Sequence, residues 1–96
     1  MEGPWSANMA GSESMRARKI YEKLLVNPQN VHFADFCKVI EAFGYRRDRV
    51  KGSHHIYEHP EPSRPLNVQN CRGEAKPYQI RQFLRDVEEF QLTLND

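Results

Sequence analysis

The chain has 96 residues, 39 % of them hydrophobic and 28 % charged, with a net charge of +1. One domain with one modest core is what this length allows, because a chain of this size buries roughly two-thirds of its unfolded surface or a little less. It carries no apolar run of membrane-spanning length and no charged-then-apolar leader, which points to a cytoplasmic protein without a membrane role. Cys37 and Cys71 fit no CxxC pair and no disulfide framework, so Cys37 reads as a small core residue rather than a nucleophile.

Residues 1–14 are rich in Gly, Ser, Ala and Asn, with Trp5 the only large apolar ring. That composition is expected to form a flexible tail, followed by a single domain over residues 15–94. Ile20/Leu24 and Tyr21/Leu25 are pairs four residues apart, predicting a short helix from Met15 to Val26 with Ser14 as its N-cap. Asn27-Pro28 ends it, since proline disfavours a helical residue before it. Phe33, Phe36, Cys37, Val39, Ile40 and Phe43 recur at spacings of three and four, the signature of a core helix. Asp35 sits in its first turn, and Gly44 follows as the expected left-handed residue.

Three strands are expected next, Tyr45–Lys51, His54–Glu58 and Leu66–Asn70, with Gly52 turning the first into the second. Pro60, Pro62 and Pro65 mark the loop before the third strand, in which Leu66 and Val68 alternate with Asn67 and Gln69. Pro77 suits the first position of a last helix, with Ile80, Phe83, Leu84, Val87 and Phe90 inside. Arg81, Gln82, Arg85, Asp86, Glu88 and Glu89 fall outside that stripe, and residues from Leu92 to Asp96 are expected to fray. The predicted class is α+β, ordered α-α-β-β-β-α, with helices covering one face of a three-stranded antiparallel sheet.

Chemistry concentrates in Arg49-Val50-Lys51-Gly52-Ser53-His54-His55-Ile56-Tyr57. Successive strand side chains point to opposite faces, so the two histidines cannot share an environment. With Ile56 taken into the core, His54 joins it, and Ser53, His55 and Tyr57 face outward. Arg47, Arg49 and Lys51 form a second odd-numbered row that is expected on that same open face. An imidazole, whose ordinary pKa is near 6.5, can accept and return a proton at a phosphate diester. His55 is therefore the candidate acid or base, Arg49 and Lys51 the candidate clamp, and Ser53 and Tyr57 the groups that orient ring or substrate. The plainer readings are ordinary strand histidines and a sheet edge protected by charge. A metal site from His54, His55 and His59 is disfavoured. His59 lies about 13 Å along the strand from His55, and His54 points the other way.

Phe43-Gly44-Tyr45, then Arg49-x-x-Gly52-Ser53-His54-His55-Ile56-Tyr57, a proline loop, a short strand and a final helix together resemble the HicA family of toxins. The resemblance spans roughly Phe33 to Phe90. It implies a fold similar to the double-stranded-RNA-binding domain, cleavage of mRNA without metal or small-molecule cofactor, and silencing by a HicB-like antitoxin. The family's catalytic histidine, two positions after the serine, corresponds to His55. The lysine approaching the last helix survives as Lys76, which joins Arg47, Arg49, Lys51, Ser53 and Tyr57 as the candidate RNA-binding set. The chain departs from the family in having Asn67-Val68-Gln69-Asn70 where a proline-histidine motif is common, and in its additional first helix. A non-catalytic RNA-binding module and a protein-interaction domain are the rival readings; neither requires an imidazole at position 55.

Overall fold

The computed structural model describes residues 11–62 and 64–95. The expected tail over residues 1–10, and Asp96, lie outside the described residues. Helix α1 spans Gly11–Val26, so it starts four residues before the expected Met15, and Ser14 lies inside it rather than capping it. Its inward face is narrow: Ala17 and Leu24 are each 1 % exposed, and the Tyr21 ring meets Phe43 edge-on at 4.8 Å. The helix stops where Asn27 donates its N–H to the Lys23 carbonyl and then accepts the Gln29 N–H on Oδ1 at 3.1 Å. That turn is an Asx turn, a local alternative to another helical bond.

Helix α2, Phe33–Ala42, buries Phe33, Phe36, Val39 and Ile40 of the predicted stripe and Ala42 besides, while Cys37 is only half-buried. Gly44 follows at φ 95, and a Cβ there would lie 3.0 Å from His59 Nε2, so both the backbone and the crowding require glycine. Helix α3, Pro77–Glu89, has proline at its start and buries Ile80, Phe83 and Val87. Phe36, Phe43 and Tyr45 pack edge-on or tilted around Phe83, joining α2, α3 and the start of the sheet in one core.

Two expectations about α3 need correction. Asp86, expected outside, is 1 % exposed, because Arg64 from the proline loop reaches its carboxylate and Gln82 Nε2 donates to it at 3.1 Å. A carboxylate is buried only when so paired, and this pair fastens the loop to the helix. The segment after α3 is not loose either: Leu92 donates to Val87 O at 2.9 Å and Asn95 to Ala42 O at 2.8 Å.

The sheet has four antiparallel strands in the order β1 (Arg46–Lys51), β2 (His54–Glu58), β3 (Leu66–Cys71) and β4 (Glu74–Ala75). The fourth strand was not expected. It has two residues, too few for an alternating pattern, and forms where Arg72 (φ 55) and Gly73 (φ 88) turn the chain back. Ala75 then donates to Val31 O, and Phe33 to Gly73 O, which ties this hairpin to the start of α2. Leu66 and Val68, 3 % and 0 % exposed, face the helices, while Asn67 and Gln69 face away. No helix among the described residues is long and apolar enough to cross a membrane.

Candidate functional site

The hairpin between β1 and β2 fixes the geometry of the site. Gly52-Ser53 is a two-residue connection with Gly52 at φ 62, and it sets Lys51 opposite His54. Glycine at the first central position provides the backbone that a tight hairpin of right-handed twist needs. Val50 then pairs with His55 and Arg49 with Ile56, but Arg47 pairs with Tyr57, leaving Asp48 as an extra residue in a bulge.

That bulge and the pleat overturn the expected sidedness. Tyr57 is 0 % exposed, so it is the inward residue of β2, and its hydroxyl donates to Glu41 Oε2 at 3.0 Å. Tyr57 cannot line an open face or touch RNA from it. His55 shares its side, two residues away, with its ring against Phe33 at 4.8 Å. The Nδ1 of His55 is buried with no hydrogen-bond partner. Burial, and then the nearby Arg47 guanidinium, lower the His55 pKa from the usual 6.5. The expectation that His55 stands on the open face is therefore corrected: it lies at the rim of the covered face.

The cationic row is divided in the same way. The extra Asp48 lets Arg47 share the side of Tyr57 and His55, whereas Arg49 and Lys51 share the open side with Ile56 and His54. Asp48 also accepts from Arg49 Nη1 at 2.9 Å, in an exposed pair of little energetic weight. Arg49 and Lys51 thus share the face of His54, not that of His55.

On the open face, Asn67 Oδ1 lies 3.1 Å from His54 Nδ1. A carbonyl oxygen only accepts, so Nδ1 carries the hydrogen and Nε2 is left as the basic nitrogen of the neutral ring. Gln69 stands opposite His54 in the register, and its Nε2 donates to Ser53 Oγ at 3.2 Å. His54 was weighed only as a metal ligand, and Asn67 and Gln69 were not among the residues singled out for chemistry. The alternation of Leu66 and Val68 with Asn67 and Gln69 already marked the last two as outward neighbours of β2.

Lys76 lies at the N-cap position of α3, where its Nζ is 6.0 Å from the centre of the Tyr78 ring. His59, the third histidine of the stretch, has a structural task. Its Nδ1 accepts the Glu61 N–H at 3.0 Å, which leaves Nε2 to donate to the Phe43 carbonyl at 3.0 Å. Cys37 stays half-buried, and burial foremost raises its thiol pKa above the usual 9.0, against the reactivity a nucleophile needs. No group of three His, Cys, Asp or Glu side chains among the described residues is arranged to hold a metal ion.

No curated protein and no solved structure matches the chain. The family model for the HicA toxin of bacterial toxin-antitoxin systems matches residues 33–88. The match runs from the first residue of α2 to the last turn of α3 and takes in all four strands, while α1 precedes it. It covers more than half of the sequence and agrees with the resemblance carried by the Gly-Ser-His-His segment: the chain belongs to the HicA family of bacterial toxins.

Proposed function

We propose that this HicA-family toxin is an endoribonuclease that cuts mRNA by internal attack, with His54 moving the proton and with a HicB-like antitoxin as its silencing partner. The observation that carries this reading is the ring on the open face, oriented by Asn67 at Nδ1 and sharing its face with Lys51 and Arg49. In the proposed step, His54 Nε2 takes the proton of a ribose 2′-OH. The 2′-oxygen forms a bond to phosphorus, the bond from phosphorus to the 5′-oxygen breaks, and the proton is delivered to that leaving oxygen. A 2′,3′-cyclic phosphate and a 5′-hydroxyl result, so atoms and protons balance without a metal or a redox partner. Arg49 and Lys51 counter the charge that builds on the non-bridging oxygens. The antitoxin would cover this face, and the cytoplasm, where mRNA is translated, is the place of action.

A second reading keeps His55 as the reacting group, reached from the rim of the covered face. It is favoured by Arg47 on the same side and by the lowered pKa, which keeps that ring neutral at physiological pH. The experiment compares purified wild type, His54→Ala and His55→Ala on RNA with a chelator present. The expectation is a loss of roughly a hundredfold or more for His54→Ala, the weight general acid–base catalysis carries, and a smaller effect for His55→Ala. The reverse order would transfer the role to His55. Binding without cleavage by wild type would leave an RNA-binding module, and absence of both would leave a protein-interaction domain.

A further inference from the structure

Tyr78 stands in the first turn of α3 with 60 % of its surface exposed, while Gln79 and Ile80 beside it are buried. An exposed aromatic ring is common and by itself explains nothing. This ring, however, is held. Gln79 is 7 % exposed, and its Oε1 accepts the backbone N–H of Gln69 at 2.8 Å, a group that β4 is too short to pair. The other end of the same amide, Nε2, donates to the Tyr78 hydroxyl at 3.3 Å. Gln69 is the residue opposite His54 and the donor to Ser53 Oγ. One buried side chain therefore grips both β3, the strand paired with the one that carries His54, and the hydroxyl of the exposed ring. Lys76 Nζ, 6.0 Å from the ring centroid, places a cation beside it.

We propose that Tyr78 is a stacking platform for one unpaired RNA base flanking the phosphate at Ser53 and His54, with Lys76 serving the neighbouring backbone phosphate. This rests on the RNA reading of the His54 face and adds a substrate requirement to it, namely a single-stranded nucleotide next to the cut. Bases splayed from a strand stack on exposed aromatic rings, and cations track the backbone between them. A ring already restrained through its hydroxyl loses less freedom on binding than a mobile one. The ring forms no part of the proton-transfer machinery, so its removal acts on binding.

The test uses the full chain and single-stranded 2′-O-methyl oligonucleotides, which cannot undergo internal attack, with affinity read by fluorescence anisotropy. A second series replaces each nucleotide in turn by an abasic unit. Tyr78→Ala is expected to bind about tenfold more weakly, as loss of one stacked base does, and Tyr78→Trp to bind at least as well as wild type. One abasic position is expected to weaken wild type by a similar factor and to leave Tyr78→Ala unaffected. Equal affinity of wild type and Tyr78→Ala, or a loss in Tyr78→Ala matched by no single abasic position, overturns the platform while RNA binding itself stands. Absence of binding by wild type at low salt overturns the platform and the RNA reading together. Melting curves for Tyr78→Ala that match wild type confirm that the fold is intact, as the exposure of the ring requires.

Discussion

His54 and His55 are consecutive residues of one strand, and they live in different chemical environments. His54 is half-buried on the open face with Asn67 bonded to one nitrogen, and Lys51 and Arg49 share its face. His55 lies against Phe33, with one nitrogen buried and unpartnered. The two faces of β2 differ in the same sense: Tyr57 is sealed in the core, whereas Ile56 remains partly exposed between Arg49 and Asn67. Sidedness in a strand belongs to the whole segment, so a decision about one residue settles all of its neighbours. Anchoring the pleat on Tyr57 instead of Ile56 exchanges the two histidines.

The most forceful way to break this comparison is to truncate the adjacent apolar pair. Tyr57→Ala is expected to cost about 3–5 kcal/mol in urea unfolding, the range found for large buried aromatic side chains, and to leave Glu41 without its donor. Ile56→Ala, on the open side, is expected to cost about 1 kcal/mol. Similar losses at both positions would mean that the pleat is not set as described and that His54 does not lie on the open face.

The divided row of cations gives a weaker but sharper test. If RNA lies across the open face, Arg49→Ala and Lys51→Ala each remove one phosphate contact. The slope of log affinity against log salt should then become shallower by about 0.7 for each on a single strand. Arg47→Ala, on the other side of the bulge, is expected to leave that slope unchanged. A change at Arg47 equal to that at Arg49 would place the nucleic acid around the strand edge rather than on one face.

The same region shows what was readable in the sequence and what was not. Helices α2 and α3 were legible because Phe33 to Phe43 and Ile80 to Val87 repeat at helical spacing. The outward side of β3 was legible because Leu66 and Val68 alternate with polar residues. In β1 every residue is exposed, so Arg46-Arg47-Asp48-Arg49-Val50-Lys51 contains no apolar alternation to reveal where a bulge interrupts the pleat. In β2 two large apolar residues are adjacent, and hydrophobicity favours Ile56 as the inward one. Tyr57 is inward instead because Glu41, sixteen residues away in sequence, receives its hydroxyl. Partners that distant leave no local trace, and the same holds for Asp86, buried by Arg64 from another element.

The smallest expected effect concerns His55 itself and depends on the sign of its titration. Burial first, and then Arg47, lower its pKa from 6.5, so the folded protein resists protonating this ring. As pH falls through the unfolded value, the unfolded chain takes up a proton that the folded chain still refuses. The unfolded state then binds more protons, and stability must rise with pH across that window. The contribution is complete above 6.5 and is lost as pH falls through the lower folded value. Wild type should therefore weaken as pH falls below 6.5, and His55→Phe should flatten that decline by removing the titrating group. The same substitution replaces the unpartnered Nδ1 by carbon next to Phe33, so at neutral pH it should also stabilise by about 1 kcal/mol. Urea unfolding of both proteins across the pH range measures the two effects separately. A His55→Phe variant that is less stable at neutral pH, with the acid decline intact, would place this ring outside the covered face.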